Sequence, residues 1–480
     1  MTITDYFIFY FSNTSQISFS QFFIFYFFIF SSIFFIKNYL YCIKFTLFEF
    51  PFILISIFIF IIIIIYVDDF ILLYFCLEGL GFSTYIFFGL LYNNQYIRYE
   101  GVLKYFILNS FASILFLFGT TFIYFSSLSI NYNVNILLLN NINNEQFNNS
   151  STYIIGLVFI ILSFFFKLGI FPCLIWIIDI YESLPFALIF ILITLYKFIL
   201  FLVFIRLIIN VFFPLIFIWQ PILLISGISS LGISCIGALL QHKLKRFIGY
   251  TSVNQISYVI LGLSCGTNEG ILAAYNFLIF YIIVNTLFFS FLIISQLTKK
   301  IYSEYRYLTD LTNLSISLSN SILFIFIIII ISIISLPPIA NFFIKYDLII
   351  NLLQISNFII FIILIFSVIS AFYYIRLLKL LFFDRLITLW TNKKIKILNL
   401  NFLLNFNIFI LNFYLYCSHL LNTVNKNLLK ALKYYYLENN FISFLILLTK
   451  INFNIINPIY LHNLFLIIDF WTIILFYTLL

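Results

Sequence analysis

Four charged side chains stand inside stretches of sequence that are otherwise almost free of charge: Glu78, Lys167, Lys197 and Lys345. Glu78 comes ~8 residues into an apolar run, Lys197 ~11 residues into another, and Lys167 ~14 residues into a third, depths of roughly 12–16 Å or more at 1.5 Å per residue. A lysine near the middle of a bilayer costs at least ~2.5–3.5 kcal/mol to insert, so such residues usually have a use. Snorkelling rescues a lysine within a turn or so of the interface but hardly reaches from these depths. Desolvation favours the neutral amine, while a neighbouring carboxylate favours the ammonium. A group poised between the two can gain and lose a proton as a neighbour's charge moves, which is what a relay requires. The other reading of Glu78 and a lysine is a static pair that orients the bundle. For Lys345 the competing reading is an interfacial position at the far end of its run.

Two of the lysines accompany breaks. Gly169 and Pro172 follow Lys167, and the segment Ser335-Leu-Pro337-Pro338-Ile-Ala precedes Lys345. Irregular backbone at membrane depth survives only where protein or a water-filled cavity satisfies its polar groups, and ion-transporting folds use that arrangement to build a path. The repeated pattern of long helix, break and intramembrane lysine suggests an internal structural repeat with the path between its halves.

The elements that must hold these residues are membrane helices. Of 480 residues, 64% are hydrophobic and 8% charged, with a mean hydropathy of +1.17. So few charges could not cover a soluble surface, and continuous apolar runs of about 20 residues exclude a transmembrane barrel. Spans fall at 17–36, 47–66, 70–92, 104–126, 153–176, 186–205, 214–240, 247–264, 271–297, 316–344, 355–383 and 401–417, and 462–480 could be a last one. Alternating them sends Lys37, Lys44, Arg98, Lys243, Lys245, Arg246, Lys299, Lys300, Arg306, Arg376, Lys379, Arg385, Lys393, Lys394 and Lys396 to one side. Asp68, Asp69, Arg206 and the Gly266–Gly270 turn go to the other. The basic side is the cytoplasm or, in a mitochondrion, the matrix. Residues 131–150, rich in Asn, read as an exposed flexible loop.

The formal charge of +8 comes from these short loops and does not indicate nucleic-acid binding. Cys42, Cys76, Cys173, Cys235, Cys265 and Cys417 show no metal or disulfide spacing and read as small packing residues. His242, His419 and His462 are far apart, and there is no dinucleotide or phosphate loop. The chain is therefore expected to bind no cofactor, leaving redox chemistry to partners. Abundant Phe (69) and Tyr (34) with a single Met, together with frequent Ile and Asn, indicate AT-rich codons and an organellar genome. The absence of a basic, Ser-rich presequence agrees with synthesis inside the organelle.

Several segments in order resemble the antiporter-like membrane subunits of respiratory complex I, and among them the NADH dehydrogenase subunit 2 family (bacterial subunit N). Leu77-Glu78 resembles the family's glutamate helix. Glu100-Gly-Val-Leu-Lys104-Tyr-Phe, running on to Ala112-Ser113 and Gly119, resembles the next. Phe166-Lys167-Leu-Gly-Ile-Phe-Pro172 with Trp176 is similar to the first broken helix, and Asp179-Ile-Tyr-Glu-Ser-Leu-Pro185 to the turn after it. Lys197 falls on the following helix's lysine. Gln241 to Tyr258, Pro337 to Lys345 and Ala371 to Arg376 complete the match, which runs from about 65 to 386.

The resemblance implies an all-α polytopic membrane protein, an antiporter-like bundle of about 12–14 transmembrane helices with two inverted repeats, each containing a broken helix. It divides the chain into shortened N-terminal helices (1–66), a first repeat (67–210), a second (211–386) and a C-terminal helix with a divergent tail (387–480). It implies a membrane-arm subunit of mitochondrial NADH:ubiquinone oxidoreductase, with other membrane-arm and accessory subunits and lipids as partners. In that reading Glu78 and Lys167 are the coupled pair, Lys197 the central relay and Lys345 the terminal lysine. Gln255 replaces the family's histidine, which puts a protonatable role there in doubt, and Asn341 stands where glycine is usual. A stand-alone cation/proton antiporter and a non-pumping structural subunit of the same complex remain the alternatives.

Overall fold

The computed structural model describes residues 49–90, 96–140, 147–299, 305–312, 320–336 and 339–382. Among these the regular structure is helical. Chain order runs α1 (Phe50–Tyr66), α2 (Phe70–Leu90), α3 (Tyr96–Ser127), α4 (Tyr132–Asn140), α5 (Phe147–Leu168), α6 (Ile175–Ser183) and α7 (Phe186–Val211). It continues with α8 (Ile216–Leu240), α9 (Leu244–Ser264), α10 (Asn268–Lys299), α11 (Asn320–Ile334), α12 (Ala340–Leu353) and α13 (Asn357–Phe382). Seven of these helices have segments long and apolar enough to cross a membrane, and α1 and α11 contribute shorter apolar segments. The expected spans at 17–36, 401–417 and 462–480 lie outside the described residues.

The helix α9 does not reach the same hydropathy, because Thr251, Ser252, Asn254, Gln255 and Ser257 interrupt its apolar sequence. Most of its residues are buried, packed against α6, α8, α10 and α12. A helix enclosed by protein on all sides need not be greasy, since its polar groups meet partners rather than lipid. The neighbouring helix α7 is buried along almost its whole length, whereas most of α13 faces outward. The interior of the bundle is therefore built around α7 and α9.

The Asn-rich segment corrects the expectation of a loop over 131–150 on both sides of 141–146, which lie outside the described residues. Residues 132–140 form α4, and α5 already begins at Phe147. The cause is local hydrogen bonding. Asn135 is fully buried, its Nδ2 donating to Asn131 O at 2.8 Å and Ser129 O at 3.2 Å. Asn131 bridges to Asp69, and Tyr132 packs edge-on to Phe70 with ring centroids 4.7 Å apart. Asn satisfies backbone groups as readily as it exposes them.

Both breaks in the apolar runs are present. In the first, Gly169 takes φ +70° and ends α5 with a bond from Gly169 N to Phe165 O at 2.9 Å and from Ile170 N to Phe165 O at 3.0 Å. These bonds serve the last carbonyls of the helix in a left-handed cap. A Cβ at 169 would meet Ile177 Cδ1 at 2.1 Å, so α6 closes on the break only because the residue is glycine. In the second, Ser335 takes the left-handed position, φ +62°, and α12 resumes at Ala340.

Arg206, near the end of α7, ties the helix ends on that side together. Its Nη1 donates to Ile65 O (2.9 Å) and Val67 O (3.0 Å) at the terminus of α1. Its Nη2 pairs with Asp68, and the guanidinium lies 6.0 Å from the ring centroid of Tyr132. A cation at a helix C-terminus meets carbonyls that have no intrahelical partner.

Candidate functional site

The helix α2 carries Glu78 as its ninth residue. Its Oε1 is buried and has no hydrogen-bond partner. Lys167 lies in the last turn of α5, buried, with an Nζ that is likewise unpartnered. Neither residue forms an ion pair within 4.0 Å among the described residues, yet the carboxylate of Glu78 is the charge that acts on Lys167. A buried ammonium with no closed bond to a carboxylate keeps much of its desolvation cost uncompensated.

Lys197 follows a π-helical turn, Leu192–Tyr196, within α7. It is 2% exposed. Its Nζ donates to Ser252 Oγ on α9 at 3.1 Å and stands 5.4 Å from the ring centroid of Tyr181 on α6. Ser252 in turn donates to Gly249 O at 2.8 Å. Widened π turns are frequent at functional positions in helices.

Lys345 lies inside α12, five residues from its start, and is buried within the bundle. Its Nζ donates to Ser335 Oγ at 3.3 Å and sits 4.5 Å from the ring centroid of Tyr258 on α9. The ring supplies the electron-rich face that a desolvated ammonium otherwise lacks.

The helix α9 thus touches both lysines, through Ser252 and Tyr258, six residues and roughly 9 Å apart along the axis. On the same helix Thr251 and Gln255 line a cavity with Tyr281, Asn285, Asn341 and Tyr374, with about 30 Å³ of space for water centres. That is room for a water or two, provided polar partners are present. The Tyr281 hydroxyl and Asn341 Oδ1 are buried there without partners. Asn341 also donates from Nδ2 to Ser332 O at 2.8 Å, holding α12 to the end of α11.

Lys167, Lys197 and Lys345 are therefore buried in the bundle, while Glu78 is half-buried with its Oε1 enclosed. Glu78 is grouped with Lys167, and α9 links Lys197 to Lys345. The sequence assigned no role to the polar lining of Ser252, Tyr181, Tyr258, Ser335 and Asn341, although Ser335 stood in the second break and Asn341 in place of a glycine. Its one signal was the cluster of hydroxyls and amides over 251–258, at helical spacing inside a candidate span.

At the end of the bundle where α6 meets α9, outside the membrane-spanning segments, Lys243 and Arg246 both pair with Glu182. Arg246 Nη2 also reaches Asp179 at 3.5 Å, and Lys245 Nζ donates to Leu184 O at 2.6 Å. Burial pushes the Glu182 carboxyl up, but hydrogen bonds and charge from Lys243 and Arg246 outweigh it and hold the group below its ordinary range. Among the described residues no cluster of three or more His, Cys, Asp or Glu is arranged to hold a metal ion.

Residues 67–371 match the family model described as NADH:quinone oxidoreductase/Mrp antiporter, transmembrane. The chain is 32% identical over 355 residues to NADH-quinone oxidoreductase subunit N of Pelagibacter ubique, covering 72% of each. It spans between 62% and 74% of the length of such relatives. In fold it is similar to a chain of respiratory complex I from Thermus thermophilus, with a TM-score of 0.59 at 21% identity over 74% of this chain and 76% of that one. It is also similar to a chain of the Mrp complex from a Dietzia species, with a TM-score of 0.63 at 16% identity over 70% and 61%.

Proposed function

Because this chain belongs to the NADH:quinone oxidoreductase/Mrp antiporter membrane family, as a subunit N-type member, we propose that it serves in the membrane arm of respiratory complex I. There it moves protons as other subunits carry electrons from NADH to quinone. The charge travels along Glu78, Lys167, Lys197 and Lys345. The observation that carries this reading is the state of the buried charges: Glu78 Oε1 and Lys167 Nζ lack partners, and Lys197 and Lys345 each hold a single hydroxyl and an aromatic face. Groups held this way change protonation state with a small movement of a neighbouring charge.

In the same proposal the chain is a multi-pass protein of the mitochondrial inner membrane with its basic loops toward the matrix. It binds no redox group itself, and its partners are other complex I subunits and lipid. Protons arriving at Lys197 leave toward Lys345 by way of the cavity at Thr251, Gln255 and Asn341, which has room for a water or two.

The test is Lys197→Ala in the assembled complex. The variant should assemble but lose coupled NADH oxidation and proton movement together; an unaltered ratio of protons to electrons sinks the relay. Native purification separates the stand-alone antiporter, which would not co-migrate with NADH oxidation activity.

A further inference from the structure

Glu78 faces a second, smaller cavity, with about 10 Å³ of space for water centres, bounded by Gly81 on α2 and by Tyr105, Asn109 and Ser110 on α3. This is just enough for one water, and the unpartnered Glu78 Oε1 is a buried acceptor that needs one. Asn109 is buried, and it reaches this place because position 81 has no side chain. A Cβ there would meet Asn109 Nδ2 at 2.3 Å. The other end of the same amide points at a different helix. Asn109 Oδ1 accepts from the hydroxyl of Tyr196 at 3.4 Å, and Tyr196 is the last residue of the π turn that leads directly into Lys197. Tyr105 lines the same cavity, and its hydroxyl lies 2.8 Å from Thr84 Oγ1, back on the glutamate helix.

We propose that Asn109 couples Glu78 to the helix carrying Lys197 by a route that does not pass through Lys167. The inference rests on the relay reading above and names a positioning residue for it. With its oxygen engaged by Tyr196, the amide turns its N–H group toward the cavity, where a water or the carboxylate accepts. An ionised Glu78 strengthens that contact and a protonated one releases it, since bonds to charged acceptors are the stronger kind. The change reaches the π turn through the Tyr196 hydroxyl. Hydrogen bonds in series polarise one another in a low-dielectric interior, so the link is stiffer than its 3.4 Å contact alone.

The experiment uses the whole complex reconstituted in liposomes, with protons moved per NADH oxidised as the readout, a ratio that loss of assembled complex does not alter. In a Lys167→Met background, Asn109→Leu should reduce the remaining ratio about tenfold, the scale of one charge-assisted hydrogen bond. Gly81→Ala, which displaces the amide without removing it, should do the same, and Tyr196→Phe, which deletes one hydroxyl, should follow. Gly89→Ala on the same helix, where a Cβ meets nothing within 4 Å, should leave the ratio unchanged. If Lys167→Met alone abolishes translocation, or if Asn109→Leu and Gly81→Ala leave the ratio intact, the route is overturned. If Glu78→Gln has no effect on the ratio, the relay reading itself fails, and that result is distinguishable from the others.

Discussion

The two breaks in the bundle use one backbone solution with different residues. At the first, Gly169 occupies the left-handed cap, and Lys167 precedes it in the last turn of α5. At the second, Ser335 occupies the corresponding position at φ +62°, with Leu336 N reaching Ile331 O at 3.5 Å, and Lys345 comes after the break, inside α12. A non-glycine residue in the left-handed region costs about 1–2 kcal/mol. Serine there retains what glycine lacks, a hydroxyl, and that hydroxyl accepts from Lys345. The placement of the lysines differs in consequence. The C-terminal carbonyls of α5 and the carboxylate of Glu78 support a positive charge at 167. Lys345 stands beyond the first turn of its helix, away from either end, and has Ser335 and the Tyr258 ring. At the first break the lysine is supported electrostatically, and at the second by one hydroxyl and one aromatic ring.

That contrast breaks most sharply at Gly169. Gly169→Ala combines the left-handed penalty with a collision against Ile177, together about 3 kcal/mol or more. Assembled complex should largely disappear from native gels. If Gly169→Ala accumulates normally, the cap geometry assigned to the first break is wrong.

Ser335 gives the intermediate effect and separates two contributions. Ser335→Ala keeps the strain and loses the hydroxyl, while Ser335→Gly loses both. The glycine variant should be the more stable of the two by about 1 kcal/mol, read as a higher midpoint of thermal inactivation. Both should slow coupled turnover equally, because both leave Lys345 without its oxygen. Unequal turnover would mean that backbone freedom at 335, and not the hydroxyl, matters to the lysine.

The same contrast explains which parts of the site were legible in the sequence. Lys167, Lys197 and Glu78 announce themselves because a charge in an apolar run is costly and rare. Gly169 followed by Pro172 is a recognisable stop. Ser335 carries no comparable signal, since serine occurs throughout such helices and only its φ reveals its job. The helix α9 is recognisable as a span, but Ser252 and Tyr258 acquire meaning only when α7 and α12 bring lysines against them. The Asn-rich stretch misled for the converse reason. Its composition suggested solvent, whereas Asn135 turns its amide inward onto Asn131 and Ser129.

The smallest expected effect lies where the second halves of the broken helices meet α9. The first of them, α6, is fastened by Glu182 to Lys243 and Arg246. On α12, neither Lys345 nor Asp347 forms an ion pair within 4.0 Å among the described residues, so of these two helices α6 is the one with a described pH-sensitive fastening to α9. The carboxyl of Glu182 is held below its ordinary range, so its contribution is fully present above the unfolded value of about 4.3 and is lost as pH falls through the lower folded value. The group is partly exposed, so the stake is on the order of 1 kcal/mol at most. Glu182→Gln should therefore lower the thermal midpoint of the purified complex by a degree or so at neutral pH. The difference from wild type should shrink as pH drops below about 4. A difference that persists unchanged at low pH would mean that Glu182 supports α6 by packing, leaving the two repeats alike in this respect.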